Sequence, residues 1–215
     1  MKKIMFYDKF HLTQAVLDGR KTMVRFVIPQ RYVEKAKAYQ QEYYEGALER
    51  ISIEDALLNM AGAEKMISSP YKVGEVVAVA QSYKTLAKEI EQYGCLNVKP
   101  EFMKMRGWSN KMFVKAEHMP HHVRITSLKV ERLQKVSNKD AMREGVIRVN
   151  ETSRVLGCKP YYTFKGSKAH SVSAKVAFIG LMYRHEKREK QPYPREVPAV
   201  AYNPYLWAYE IELVD

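Results

Sequence analysis

One stretch of the chain, "HVRITSLKVERLQKV" at residues 122–136, constrains the fold more than any other. Apolar residues fall at Val123, Ile125 and Val130, with polar or charged residues between them. Because side chains alternate between the two faces of a strand, this pattern predicts a long strand with one buried face. The alternation changes phase between residues 126 and 128, which predicts a β-bulge at that point.

The segments around this strand favour an α+β fold. Directly after it, "SNKDAMREG" predicts a short helix that begins at an N-cap, Ser137, and ends at Gly145. Strand patterns recur at residues 22–28, 76–83 and 203–214, and helix patterns at 11–19, 30–69, 84–94 and 172–187. Strands and helices do not alternate regularly, so we expect an antiparallel β-barrel with helical insertions rather than a doubly wound parallel sheet.

The length of 215 residues predicts a single domain over residues 1–215 with a helical insertion at about 30–69. No run of about 18 apolar residues occurs, so we expect no membrane span. Cys95 and Cys158 stand alone, with no paired motif and no secretory leader pattern at the start. This cysteine usage argues against a disulfide framework and predicts a cytoplasmic protein.

Positive charge is concentrated in one part of the chain. The formal net charge is +12, and residues 101–195 carry 21 basic and 8 acidic side chains, whereas residues 196–215 carry four acidic and no basic ones. A basic surface attracts phosphate groups, so this asymmetry is typical of a protein that binds a polyanion. The alternative is that these cations are ordinary solvated surface residues.

The segment "DGRKTMVRFVIP" at residues 18–29 contains the first candidate site. Lys21 is a compact cation that can meet a phosphate or a base carbonyl, and Arg25 offers a planar fork for bidentate contacts. In the strand that follows, Val24, Phe26 and Ile28 are expected on one face and Arg25 on the other. The alternative is a charged turn whose cations pair with Asp18 or Glu144.

A second candidate region interleaves aromatic and basic residues near residue 160. Such a composition can stack bases while holding the phosphate backbone, although a partly packed loop has the same composition. The residues are Lys159, Tyr161, Tyr162, Phe164, Lys165 and Lys168.

The histidines of "HMPHH" at residues 118–122 do not predict a metal site. Pro120 prevents a regular helix, and Glu117 is the only acidic residue beside the three imidazoles. One or more of these histidines is expected to face phosphate instead. We expect neither a metal nor a cofactor, and we expect Trp207, among alternating apolar residues, to lie in the core.

Four segments together resemble the ASCH domain family, a branch of the PUA-like β-barrels, in the versions common in phages and their bacterial hosts. They are "LDGRKTMVRFVI", "PYKVGEVVAV", "HMPHHVRITSLKVERLQKVSNKDAMREGV" and "NPYLWAYEIEL", and they match in order and spacing over about a third of the chain. The resemblance implies a small barrel with a cleft whose basic rim receives RNA or a nucleoside.

One branch of that family is a 4-acetylcytidine amidohydrolase that uses a lysine, a threonine and a glutamate. Carried over, the lysine falls on Lys21 and the glutamate on Glu144, but the threonine falls on Val24. The arginine usual two positions later falls on Phe26. Because valine has no hydroxyl, it can neither attack a carbonyl nor relay a proton.

A further departure lies at Ala80 and Gln81, where many relatives have an arginine and a glutamate. The loss of several ionisable groups from the cleft favours a protein that binds the ligand but lacks the amidohydrolase activity. The sequence therefore predicts a protein that binds RNA or a modified nucleoside. The residues expected to line its cleft are Lys21, Thr22, Arg25 and Glu144. Further ligand-binding residues are expected outside the cleft motifs, at Lys159, Tyr161, Tyr162 and Lys165. The alternative is a small amidohydrolase of acylated pyrimidine nucleosides in which Lys21 and Glu144 are catalytic, with Glu144 as a general base.

Overall fold

The computed structural model describes residues 1–44, 51–62, 65–91, 102–150, 160–188 and 202–214. The strands are β1 (Lys3–Ile4), β2 (Met23–Val27), β3 (Val76–Val79), β4 (His122–Arg132), β5 (Val146–Val149), β6 (Tyr161–Phe164) and β7 (Tyr205–Leu213). The helices are α1 (Leu12–Leu17), α2 (Gln30–Tyr44), α3 (Ile53–Ala61), α4 (Tyr83–Glu91), α5 (Asn138–Arg143) and α6 (Ala174–Arg188).

Five strands form a mixed sheet in the order β1-β3-β4-β7-β2, and β5 and β6 form a separate two-strand hairpin. The prediction of an α+β fold is therefore confirmed. The sheet is not wholly antiparallel, because β1 runs parallel to β3 with Lys3 beside Ala78. Within the described residues, β1 and β2 are the two edges of the sheet, and no closed barrel is present.

The centre of the sheet is the long antiparallel pair of β4 and β7. Their register shifts between Ile125 and Ser127, which confirms the predicted bulge. Trp207 lies between Val130 of β4 and Phe26 of β2 and is 1% exposed. Trp207 is thus a core residue, as its apolar neighbours in the sequence predict.

Within the helical pattern over residues 30–69, α2 and α3 are helices, whereas the described residues 65–69 form none. Ser52 caps α3 by accepting a hydrogen bond from the backbone N–H of Asp55 at 3.1 Å. Apolar side chains of both helices, including Val33 and Leu57, belong to the same buried cluster as sheet residues such as Ile125. The apolar faces of these helices therefore complete the core that the sheet begins.

The two faces of β2 meet different surroundings. Phe26 packs its ring against those of Tyr71 and Tyr209, at centroid distances of 5.8 and 6.1 Å. Arg25 lies on the other face, with its guanidinium carbon 5.6 Å from the ring centroid of Phe178 in α6. The alternation expected along this strand is thus present, and it directs residue 25 towards α5 and α6 and residue 24 towards the apolar core.

The helix after β4 begins and ends where the sequence predicts. The Ser137 hydroxyl accepts a hydrogen bond from the backbone N–H of Asp140 at 3.0 Å, and Gly145 follows the helix with φ of +100°. The hairpin of β5 and β6 was not predicted, since neither strand has a clear alternating pattern. None of the helices in the described part of the chain is long and apolar enough to cross a membrane.

Candidate functional site

The structure brings together Lys21, Arg25 and Glu144, although more than 100 positions separate the cations from the acid. Lys21 lies in the turn between α1 and β2, and Glu144 directly follows α5. The backbone N–H of Thr22 donates to the carbonyl of Arg143 at 2.9 Å, which ties the turn to the end of the helix. The turn before β2 and the end of α5 thus place the opposite charges next to one another.

Both carboxylate oxygens of Glu144 have a cationic partner. Lys21 Nζ contacts Glu144 Oε2 and also donates to the carbonyl of Met23 at 2.7 Å. Arg25 Nη1 donates to Glu144 Oε1 at 2.9 Å, and Arg25 Nε donates to Glu131 Oε1 at 2.9 Å. We call these four residues, Lys21, Arg25, Glu131 and Glu144, the buried charge cluster.

The cluster is closed to solvent at its centre. Lys21 is 3%, Arg25 5% and Glu144 4% exposed. Burial lowers the pKa of Lys21, and the neighbouring Glu144 only partly opposes this effect. Burial also acts to lower the pKa of Arg25, but Glu144 and Glu131 outweigh it and raise the pKa. Three of the residues predicted to line a cleft, Lys21, Arg25 and Glu144, therefore lie in the interior, where they pair with one another and with Glu131.

Glu131, a member of the cluster, and Asp140 connect the cluster to the surface through Lys129. No sequence pattern identifies either acidic residue as part of a site. Lys129 Nζ lies 3.6 Å from Glu131 Oε2 and 3.5 Å from Asp140 Oδ2. Burial acts to raise the pKa of Asp140, but Lys129 and Arg25 outweigh it and lower the pKa. In the sequence, Glu131 occupies a polar position of an alternating strand, a pattern that indicates a solvent-facing residue.

Thr22 is engaged away from the cluster. Its hydroxyl accepts a hydrogen bond from Arg143 Nε at 2.9 Å, and Arg143 Nη1 donates to Glu210 Oε1 at 2.8 Å. Thr22 is half-buried. It therefore joins the end of α5 to β7 and is not directed at Glu144.

The second predicted region lies on the β5–β6 hairpin and the loop that follows it. The ring of Tyr161 stacks on that of His170, with centroids 4.0 Å apart and planes at 18°. Tyr162 lies opposite Arg148 in the hairpin register. His170, Arg148 and Lys165 are exposed, and both tyrosines are half-buried. Lys159 lies outside the described residues.

A cavity of about 500 Å³ lies beside this loop. Its walls are formed by the segment around Asp8–Phe10, the loop after β6 and one side of α6. The lining residues are Tyr7, Lys9, Phe10, Gly166, Ser167, Lys168, Ala169, Leu181 and Arg184. No sequence pattern indicates this cavity, since its walls come from three segments that are far apart in the chain.

The histidine-rich segment makes local contacts. His118 Nδ1 and the hydroxyl of Tyr83 are 2.7 Å apart, and their rings pack at a tilt. Over the ranges that the structure describes, no group of three or more His, Cys, Asp or Glu residues is arranged to hold a metal ion. Cys95 and Cys158 both lie outside those ranges.

Comparison with known proteins adds no relative from which a function can be carried over. No family model, no curated protein and no solved structure matches the chain. The resemblance to the ASCH family therefore stays a prediction from the motifs that carry it. Any function must accordingly be inferred from the charges, burial and geometry of the chain itself.

Proposed function

We propose that this protein binds RNA or a modified nucleoside as a cytoplasmic, PUA-like protein of the ASCH type. In this proposal the ligand contacts an exposed surface on the hairpin, and the buried charge cluster stabilises the fold behind it. We call this surface the hairpin face and define it by Tyr161, Lys165, Lys168 and His170.

The observation that carries the proposal is the stacked pair of Tyr161 and His170 among exposed cations. Single-stranded nucleic acids bind to surfaces that combine aromatic platforms with basic side chains, because bases stack on rings while phosphates pair with cations. Lys165 and Lys168 are exposed in the loop that follows β6, between Tyr161 and His170 in the chain. The hairpin face therefore offers both kinds of contact within one short element.

The buried charge cluster supports the same proposal, because its cations are not available to a phosphate group. A phosphate that approached Lys21 would have to displace Glu144, whose two oxygens are already paired. Removing that carboxylate from two buried cations costs more than a solvated phosphate contact returns. The affinity for a polyanion is thus expected to come from exposed cations.

The first test compares two double variants that remove the same charge. We expect Lys165→Ala with Lys168→Ala to weaken binding of a short single-stranded RNA. The variant should also flatten the slope of log affinity against log salt concentration, by about 0.7 for each phosphate that the protein no longer neutralises. Fluorescence anisotropy at several salt concentrations measures both effects.

The matched control is Lys35→Ala with Lys37→Ala, since both lysines are exposed on α2. This pair should leave the slope near that of the native protein. If both double variants weaken binding equally, only net charge matters and the hairpin face is not the binding surface. RNA affinity that is independent of salt would contradict the proposal as a whole.

The second candidate function is hydrolysis of an acylated pyrimidine nucleoside such as 4-acetylcytidine. The contact between Lys21 and Glu144 favours it, because these are the two residues that match the amidohydrolase branch. Residue 24 opposes it. Val24 belongs to the apolar core cluster, on the face of β2 opposite to Arg25, which holds Glu144.

We therefore expect that neither the native protein nor Val24→Thr deacetylates 4-acetylcytidine. A hydroxyl introduced at residue 24 would enter the apolar core and would not meet Glu144. Chromatography of the nucleosides after incubation measures cytidine formation, and Val24→Ala serves as the control without a hydroxyl. Turnover by the native protein would establish the hydrolase. Turnover by Val24→Thr alone would show a decayed catalytic site and contradict the placement of residue 24.

A further inference from the structure

The cavity beside the hairpin face combines aromatic and basic walls. Tyr7 and Phe10 line it together with Lys9, Lys168 and Arg184. Among its described lining residues there is no Asp or Glu, and none of the three cations forms an ion pair with a described carboxylate. Its volume of about 500 Å³ falls within the ~300–1,000 Å³ typical of small-molecule sites. These properties match a ligand that carries both a flat ring and an anionic group.

Contacts within the chain hold the walls of the cavity together. Gly166 adopts φ of +76°, and a Cβ at this position would lie 2.8 Å from the carbonyl oxygen of Lys9. Only glycine therefore permits the loop after β6 to approach the N-terminal segment so closely. The Thr163 hydroxyl donates to the carbonyl of Ala169 at 2.7 Å, which fixes the far end of the loop.

We propose that this cavity binds a nucleoside monophosphate unit. In this arrangement the phosphate pairs with Lys9, Lys168 and Arg184, and the base packs against Phe10. Arg184 is suited to a bidentate phosphate contact, because its guanidinium is a planar fork. Lys9 Nζ lies 6.0 Å from the ring centroid of Phe10, so the anionic and aromatic contacts fall within the span of one nucleotide.

The inference rests on the proposed RNA binding but names a separate place for one nucleotide of the ligand. Such a unit can come from two sources, a free nucleotide or the 5′-phosphorylated end of an RNA. Lys168 belongs both to the hairpin face and to the cavity wall, so an RNA end in the cavity would continue along the hairpin. The two sources are separated by the choice of probes.

The experiment measures affinities for AMP, CMP, adenosine and inorganic phosphate by isothermal titration. If the cavity contacts both parts of the ligand, each monophosphate should bind about tenfold or more tightly than adenosine or phosphate alone, the equivalent of one further good contact. A short RNA with a 5′-phosphate is then compared with the same RNA ending in a 5′-hydroxyl. Preference for the phosphorylated RNA indicates a chain end as the source, and equal affinity indicates the free nucleotide.

A charge-neutral variant tests the location. Ala169→Phe fills the cavity without removing a cation. Val172→Phe is the control, because Val172 is 86% exposed and does not line the cavity, so that the same ring is added outside it. We expect Ala169→Phe to weaken monophosphate binding at least about tenfold and Val172→Phe to leave it unchanged. Circular dichroism confirms that both variants fold. If Ala169→Phe does not fold, Ser167→Tyr, at another lining position, provides the same test.

The outcomes separate this inference from the proposed function. Salt-dependent RNA binding with no monophosphate affinity, or with affinity that Ala169→Phe leaves unchanged, overturns the cavity site and leaves RNA binding intact. Monophosphate binding that Ala169→Phe abolishes, without RNA binding, supports the cavity site and overturns the proposed function. Equal affinity for phosphate and monophosphates overturns the base contact. Absence of binding to any probe overturns both proposals.

Discussion

Replacing Glu144 with alanine is expected to lower the free energy of unfolding by about 3–5 kcal/mol, the cost of removing one partner from a buried ion pair. Lys21 would lose the carboxylate that pairs with it, and Arg25 would keep Glu131 at 2.7 Å and the more distant Asp140 at 3.8 Å. Water cannot replace the missing carboxylate freely, because both cations are at most 5% exposed. Urea denaturation of the native and variant proteins measures the difference.

A set of related variants shows whether charge or packing causes the loss. Glu144→Gln keeps the size of the side chain but removes its charge. The stability that this variant loses therefore measures the effect of the missing charge. Adding Lys21→Met to Glu144→Ala should recover part of the stability, because the unpaired buried ammonium is removed along with its partner. Glu212→Gln is the control, since Glu212 is exposed on β7. A loss below about 1 kcal/mol for Glu144→Ala, the range of exposed pairs, would mean that solvent reaches the cluster.

Trp207→Ala is expected to destabilise the fold by a similar amount, about 3–5 kcal/mol, because it removes a large aromatic side chain from the core. Trp207 is 1% exposed and lies on β7 between β2 and β4, so the resulting cavity would open at the centre of the five-strand sheet. Neighbouring strands cannot close this space without disrupting their pairing. Denaturant unfolding measures the loss of stability. It is followed by circular dichroism and not by tryptophan fluorescence, because the variant removes a fluorescent residue.

Leu213→Ala provides the comparison within the same strand. Leu213 ends β7 and is 37% exposed, so its truncation should cost less than about 1 kcal/mol. If both variants lost the same stability, Trp207 would not be at the centre of the core. A stability of Trp207→Ala near that of the native protein would contradict the strand order itself.

Stability and ligand binding are expected to depend on different residues. The buried charge cluster lies under α5 and α6, whereas the hairpin face and the cavity are exposed. Glu144 variants that remain folded at low temperature should therefore bind RNA with the same salt dependence that we propose for the native protein. Variants of Lys165 and Lys168 should in turn change that dependence with little effect on unfolding, because surface substitutions seldom alter stability by more than about 0.5 kcal/mol.

The elements that the sequence predicts correctly are those whose patterns lie within a few neighbouring residues. The alternation and phase change of β4, the cap at Ser137 and the glycine exit at Gly145 all depend on residues within a few positions of one another. Such signals depend on the steric and hydrogen-bonding preferences of a short stretch of backbone. The alternation of β2 is local in the same sense, and it correctly separated Arg25 from Val24 and Phe26.

What these elements enclose depends on contacts between parts of the chain that are far apart in sequence. The sequence predicts Lys21 and Glu144 either as the lining of a cleft or as partners in an ion pair, and their burial follows only from the way a turn and a helix end bring them together across more than 100 residues. The parallel pairing of β1 with β3 and the cavity beside the hairpin likewise depend on contacts between distant segments. Burial and cavity shape are properties of the packed chain, because desolvation depends on every neighbouring segment and not on the local order of residues.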